Sequence, residues 1–79
     1  MARVSQNLIG ERVKKARASS EPPLTQEQLS RRLRRFAVAI DRAGVAKIEA
    51  GIRGVLDFEL VAFSKALGVT VGWLLNLKE

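Results

Sequence analysis

The sequence predicts an all-α protein in which five short helices surround one hydrophobic core. Apolar residues recur at helical spacing in five segments, and capping or helix-breaking residues separate those segments. No segment alternates convincingly between apolar and polar residues, so we expect no sheet. The chain has 79 residues, which is the size of one domain, and residues 1–79 are therefore expected to fold as a single unit.

The first helix is expected over about residues 6–18. Leu8 or Ile9 and then Val13 recur on one side at helical spacing, while charged side chains occupy the other side. Gly10 weakens this helix slightly, since glycine is a poor helix former. Two consecutive prolines further along prevent any continuation of the helix.

The second helix is expected over residues 26–35, and the sequence contains clear capping signals at its start. Thr25 is a good N-cap, and Gln28 three residues later completes a capping box. Leu24 and Leu29 stand at the two positions of a hydrophobic staple. These signals together predict where this helix begins.

The third helix is expected over residues 42–50, after a connector that contains neither glycine nor proline. The connector is apolar enough that part of it must be buried. Asp41 caps the start of the helix, and Val45 with Ile48 forms its inward face. Gly51 stands at the C′ position, where glycine commonly ends a helix.

The fourth and fifth helices are expected over residues 57–67 and 71–76. Asp57 is the expected cap of the fourth helix, and Gly68 ends it. Thr70 then caps the fifth helix. The single tryptophan lies among apolar neighbours in this last helix and is expected to belong to the core.

Positive charge is concentrated around the second and third helices. The formal charge of the chain is +6, and between residues 31 and 53 seven basic residues face two acidic ones, which leaves +5. Such a balance suits an anionic partner, either a nucleic acid or a membrane face. Two short helices with this spacing and charge are typical of a helix-turn-helix that docks on DNA.

The composition argues against several other classes of protein. The chain contains neither cysteine nor histidine, which removes disulfides, thiol catalysis, Cys/His zinc sites and the most common general base. No nucleophile–base pair, metal constellation or phosphate-cradling glycine loop is present, so we expect no enzyme activity, metal or cofactor. No apolar run approaches the ~20 residues of a membrane span, and the start does not resemble a secretory signal. We therefore expect a cytoplasmic protein with no membrane partner.

Three motifs, in order and at matching distances, resemble the lambda-repressor-like, or Xre, helix-turn-helix family. Residues 25–30, TQEQLS, resemble the T-Q-E-E-L-A opening of its second helix. Residues 45–51, VAKIEAG, are similar to the I-S-K-I-E-x-G end of its third helix. Residues 65–75, KALGVTVGWLL, together with the Phe-Glu-Leu at 58–60, resemble its A-K-A-L-G-V-S-V-D-W-L-L ending. The resemblance covers almost the whole chain, from about residue 8 to residue 75.

The resemblance implies a compact five-helix, lambda-repressor-like DNA-binding domain with its helix-turn-helix at the second and third helices. Such proteins are prokaryotic or phage transcription regulators that bind near-palindromic double-stranded operators as homodimers. A prophage repressor, a restriction–modification controller and an antitoxin with a protein partner all remain open. The alternative is a protein-interaction module of the same fold with little DNA binding, which Ala43 and Gly44 favour because they stand where the family usually has polar residues.

The third helix is the candidate recognition helix. With its apolar face turned inward, Arg42, Ala43 and Lys47 face outward and are expected to contact bases. An arginine fork fits the O6 and N7 atoms of guanine, and an alanine methyl suits the methyl group of thymine. Lys47 is expected to reach either a guanine or a phosphate.

Contacts with the DNA backbone are expected from three residues around this helix. The resemblance implies that Gln26, at the start of the second helix, holds a phosphate together with the helix N-terminus. Arg53 is similarly placed just past the third helix. Of the four arginines between residues 31 and 35, one or two are expected to touch DNA, and Arg35 is the first choice.

Two structural roles complete the expectations. The resemblance implies an ion pair between Arg17 and Glu49 that locks the third helix against the first. Leu74, Leu75 and Leu77 exceed what a small core can cover, so they are the expected dimer interface.

Overall fold

Five helices follow one another in the computed structural model, which describes residues 4–77. They are α1 (Gly10–Ser19), α2 (Gln26–Arg34), α3 (Arg42–Glu49), α4 (Asp57–Leu67) and α5 (Val71–Leu74). Residues 4–77 contain no strand, and the predicted all-α, five-helix fold is confirmed. The first three and last two residues of the predicted domain lie outside the described range.

The start of α1 is fixed by a polar side chain that the helical periodicity does not reveal. Asn7 Oδ1 accepts hydrogen bonds from the backbone N–H groups of Ile9 and Gly10, at 3.0 and 2.7 Å. Its amide nitrogen donates to the carbonyl oxygens of Ile48 and Arg53, at 3.0 and 2.8 Å. The first helix therefore begins later than predicted, because the preceding residues tie the N-terminal segment to the end of α3.

The capping box of α2 is present in full. Thr25 Oγ1 accepts from the backbone N–H of Gln28 at 3.0 Å, and the Gln28 side chain accepts from the N–H of Thr25 at 2.8 Å. The reciprocal bonds satisfy two backbone donors that a helix start otherwise leaves free. The helix ends at Arg34, one residue before the predicted end.

The connector between α2 and α3 is partly buried, as its composition predicts. Val38 and Ile40 are 4% and 3% exposed and join the hydrophobic core. Ala37 adopts a positive φ of 62°, which turns the chain sharply after α2. Ser30, itself buried, donates its hydroxyl to the carbonyl oxygen of Ile40 at 2.6 Å and holds the end of the connector against α2.

The end of α3 is a Schellman motif, which fixes where this helix stops. Gly51 has a φ of 76°, and its N–H donates to the carbonyl oxygen of Ile48 at 3.0 Å. The N–H of Ile52 donates to the carbonyl oxygen of Lys47 at 2.9 Å. These bonds satisfy carbonyls that the helix itself leaves unpaired, and the left-handed backbone explains glycine at this position.

The bounds of α4 agree with the prediction, whereas its cap residue and the end of α5 do not. Asp57 is not the cap of α4: it is the first helical residue, and Leu56 occupies the cap position. The cap is completed from within the helix, because Glu59 Oε1 accepts from the backbone N–H of Leu56 at 3.0 Å. The last helix ends at Leu74, two residues early, since Asn76 turns the backbone with a φ of 57°.

One hydrophobic core contains the inward faces of the five helices. Its largest fully buried side chains are Phe63, Leu29, Leu33, Ile48, Leu74, Val13 and Val45. Of the two alternatives at the first helix, Ile9 is the buried residue, whereas Leu8 is 80% exposed. Trp73 packs only partly against the core, and Arg12 lies over its ring, 4.0 Å from the centroid.

No helix between residues 4 and 77 has the length and apolar character of a membrane span. The longest, α4, has 11 residues, whereas a span requires about 20.

Candidate nucleic-acid interface

The outward face of α3 is the first part of the candidate site. Val45 and Ile48 are fully buried, so the three- and four-residue spacing of the helix turns Arg42, Ala43 and Lys47 to the outside. All three are exposed. The geometry that base reading requires is therefore present, and contact with bases stays a prediction.

The start of α3 is held by Asp41, whose carboxylate oxygen accepts from the backbone N–H of Gly44 at 2.7 Å. Gly44 lies against the connector: a Cβ added there would come within 2.7 Å of the Ile40 side chain. The glycine that lowers the helix propensity of α3 thus permits close packing of this helix on the connector.

The far end of α3 is tied to α1 by an ion pair between Arg17 and Glu49. Arg17 Nε and Nη2 donate to the two carboxylate oxygens at 2.8 and 2.9 Å. Nη1 of the same guanidinium donates to the carbonyl oxygen of Leu24 at 2.9 Å, which connects the pair to the segment before α2. Hydrogen bonding to Glu49, aided by its charge, raises the pKa of Arg17 although burial opposes this. The pair implied by the family resemblance is thus part of the structure.

Gln26 joins the same network from the start of α2. Its side-chain nitrogen donates to Glu49 Oε1 at 3.1 Å. One carboxylate therefore holds groups from α1 and α2 while belonging to α3. A primary amide has two N–H donors, so a second one remains for the phosphate contact predicted for Gln26.

An open groove lies between α1, the start of α2 and the outward face of α3. We call it the α1–α3 groove; it is lined by Lys14, Gln26, Arg42, Ala46 and Glu49, among others. Two predicted DNA-contacting residues, one from each helix of the motif, therefore meet at one surface feature.

Lys14 is a groove residue that the sequence reasoning missed. It is exposed and lies three residues before Arg17, which places both side chains on one side of α1. Once Arg17 is assigned to the ion pair with α3, this spacing is the signal that directs Lys14 to the same groove.

Arg35 lies away from the α1–α3 groove. It is exposed and lines a separate hollow on α2, together with Arg31 and Arg32. The side chain of Arg32 also donates to the carbonyl oxygen of Ala66 at 3.2 Å and so helps to hold α4. The arginines after residue 30 thus divide between a structural contact and an exposed basic surface.

Arg53 is bound to Glu59, a partner that the sequence did not reveal. Its Nη1 and Nη2 donate to the two carboxylate oxygens at 3.1 and 3.0 Å, and Nη1 also donates to the carbonyl oxygen of Gly54 at 3.0 Å. This hydrogen bonding lowers the pKa of Glu59, against the effect of burial, and raises that of Arg53. Of the five N–H donors of a guanidinium, two remain for the phosphate predicted there.

Charged groups divide into paired and unpaired sets across the described residues. Three ion pairs form among residues 4–77: Arg17 with Glu49, Arg31 with Glu27, and Arg53 with Glu59. Arg42 and Lys47 on α3 belong to none of them. Over the same range, no group of three His, Cys, Asp or Glu side chains is placed to hold a metal ion.

The predicted dimer residues do not share one environment. Leu74 is fully buried, and its assignment to an interface is wrong, because a side chain in the core has no surface to offer a partner. Leu75 is partly buried and lines a shallow hollow with Leu8 and Leu60. Leu77 is 62% exposed.

Comparison with protein families agrees with this geometry. Residues 13–74 match a family model described as Helix-turn-helix, which covers α2 and α3, most of α1, and α4 with α5. Comparisons with curated proteins and with solved structures found no match. The match spans well over half of the chain and includes α2, α3 and most of α1, the three helices that line the groove. The chain therefore belongs to the helix-turn-helix family of lambda-repressor, or Xre, type, a family of DNA-binding regulators.

Proposed function

We propose that this protein is a sequence-specific transcriptional regulator of double-stranded DNA, a small repressor or autoregulator that places α3 in the major groove. One observation carries the proposal. The outward face of α3 exposes Arg42, Ala43 and Lys47, while its inward face is fully buried and its end is held by the Arg17–Glu49 pair. A rigidly mounted, exposed basic helix is what reading of base edges requires.

Base reading is assigned to the exposed residues of α3. Arg42, in the first turn of α3, is proposed to offer its guanidinium fork to a guanine, and Lys47, in the last turn, is proposed to contact a guanine or a phosphate. Ala43 between them offers only a methyl group, which suits a thymine. We therefore expect a short recognition sequence with one strongly preferred guanine in each half-site.

Contacts with the DNA backbone are assigned to Gln26 and Arg35, and a weaker contact is assigned to Arg53. Gln26 stands at the N-terminus of α2, where the helix dipole favours an anion. Arg35 is exposed and forms no ion pair within residues 4–77, whereas Arg53 has only the two donors that Glu59 and Gly54 leave. Such contacts fix orientation and strengthen binding on any sequence.

A homodimer on a near-palindromic operator completes the proposal. The described part of the chain measures 36 × 31 × 24 Å, so two copies side by side have centres about one such width apart. Half-sites one helical turn apart are separated by about 34–36 Å, which these dimensions accommodate. The apolar surface proposed for the contact is that of Leu75 and Leu77, with Leu8 beside Leu75 in the same hollow.

Selection of bound sequences from a random duplex pool tests this function. We expect an enriched, near-palindromic site with half-sites about one turn apart, and repression of a reporter that carries this site in its promoter. Sedimentation of Leu77→Glu beside the wild type tests the contact surface, since a charge there should weaken the dimer without disturbing the core.

An interaction module of the same fold is the second candidate, because Ala43 and Gly44 bring no side-chain hydrogen-bonding group to α3. Absence of enrichment, together with no binding to random DNA at low salt, would favour it over the first. A steep loss of binding between two salt concentrations would favour DNA binding.

A further inference from the structure

Two basic side chains that line the α1–α3 groove form no ion pair within residues 4–77. Among the residues that line it, the acidic ones are Glu27 and Glu49, and each is paired with an arginine. Lys14 and Arg42 form no ion pair with any residue from 4 to 77. The groove therefore has an unpaired positive side chain from α1 and another from α3.

These two cations belong to different elements. Arg42 is on the outward face of α3, whereas Lys14 projects from α1, one turn before the arginine that binds Glu49. The start of α2, with the Gln26 amide, lines the same groove. An extended anion that touches Gln26 is thus bordered by positive groups from α1 and from α3.

We propose that Lys14 binds a phosphate of double-stranded DNA, so that one strand of the backbone runs along the α1–α3 groove past the start of α2. The inference rests on the proposed function and adds to it a contact from outside the helix-turn-helix. A lysine ammonium meets a phosphate as a point charge and reads no base, so this contact strengthens binding equally on all sequences.

A purely structural role for Lys14 makes a different prediction. Glu49 and Ala50, at the end of α3, line the same groove as Lys14, and a cation close to a helix C-terminus stabilises the helix dipole. In that case its removal lowers the thermal stability of the protein and leaves the number of phosphate contacts unchanged.

The matched control is the next residue. Lys15 is an exposed lysine of the same helix that does not line the groove. Lys14→Gln and Lys15→Gln each remove one positive charge, so the long-range attraction to DNA falls by the same amount in both. Lys14→Arg keeps the charge at the groove and is expected to behave as the wild type.

The test is a titration of a random-sequence duplex at several salt concentrations, with thermal unfolding of each variant as a check. We expect Lys14→Gln to reduce the log–log salt slope by about 0.9, the value for one lost phosphate contact, and Lys15→Gln to leave it unchanged. Equal slopes for the two variants, or a lower melting temperature of Lys14→Gln with an unchanged slope, would overturn the proposal for Lys14 alone. A wild-type protein without salt-dependent duplex binding would overturn the proposed function as well.

Discussion

The guanidinium of Arg17 and the carboxylate of Glu49 meet through two parallel hydrogen bonds, with side chains that are 17% and 5% exposed. This bidentate geometry fixes both the distance and the plane of the two groups. Since one partner belongs to α1 and the other to the last turn of α3, the pair sets how the outward face of α3 is presented.

Removal of one member of this pair should destabilise the fold. We expect Glu49→Leu to lower the free energy of unfolding by about 2–3 kcal/mol, below the ~3–5 kcal/mol of a fully buried pair because Arg17 keeps some contact with water. The double variant Arg17→Met/Glu49→Leu should lose less than the two single variants added together. Urea denaturation of the four proteins measures this, and strictly additive losses would contradict a direct coupling.

Glycine should be required at position 10 for close packing, although glycine is a poor helix former. A Cβ at this position would collide with the carbonyl oxygen of Ile48, since α1 crosses the end of α3 closely. We expect Gly10→Ala to destabilise the protein by about 1–3 kcal/mol, as overpacking does, although alanine favours a helix by ~1 kcal/mol. Gly54→Ala is the control, because its Cβ meets only Gln6 at an ordinary 3.6 Å, and its thermal unfolding should change little.

Local signals in the sequence were sufficient for most of the fold. The capping box at Thr25, the cap at Asp41 and the glycine at 51 act within a few residues, so the sequence alone places these helix ends well. Asn7 was missed because its amide reaches carbonyls more than forty residues away. Glu59 was missed although it is close to Leu56 in sequence, because a leucine has no side-chain oxygen to mark a cap position.

The site was predictable to the extent that it follows from helical periodicity. Burial of Val45 and Ile48 fixes which residues α3 exposes, so Arg42 and Lys47 were assigned to the surface correctly. The binding of Arg53 to a carboxylate in α4 required the packing of the α3–α4 loop, which no short-range pattern encodes. The sequence also did not show that Leu74 is buried while Leu77 is exposed, because a high number of leucines does not tell which of them face the core.

Replacement of Ala37 with glycine should stabilise the protein. The φ of 62° at Ala37 lies in the left-handed region, which costs an alanine about 1–2 kcal/mol and a glycine very little. Allowing for the greater freedom of glycine in the unfolded chain, we expect Ala37→Gly to stabilise the protein by about 0.5–1 kcal/mol. Ala39→Gly, an exposed connector residue without positive φ, should instead destabilise it by a similar amount. Equal shifts of both denaturation midpoints would contradict the strain at Ala37.

The Arg53–Glu59 pair should make stability depend on acid pH. Hydrogen bonding to Arg53 lowers the pKa of Glu59 below its ordinary value of 4.5 in the folded state. As the pH falls, Glu59 is therefore protonated in the unfolded chain before it is protonated in the folded protein. The contribution of the pair to the free energy of unfolding is complete above pH 4.5 and is lost as the pH falls through the folded pKa. The measurement is urea denaturation of the wild type and Glu59→Gln from about pH 3 to about pH 7, a range that includes the ordinary pKa of a glutamate. The free energies of unfolding of the two proteins should converge as the pH falls. A stability difference that stays constant with pH would contradict this linkage.

Arg42 should supply specificity, whereas Arg35 should supply only affinity. Both are exposed arginines, and each substitution by glutamine removes one charge, but only Arg42 lies on the outward face of α3. Because a bidentate guanine contact contributes about 1–3 kcal/mol of discrimination, Arg42→Gln should weaken binding to the selected operator by that amount more than binding to a random duplex. Arg35→Gln should weaken binding to both duplexes about equally and make the salt slope less steep. Titration of both duplexes with the wild type and the two variants decides the matter, and an equal loss on both duplexes for Arg42→Gln would remove Arg42 from base reading.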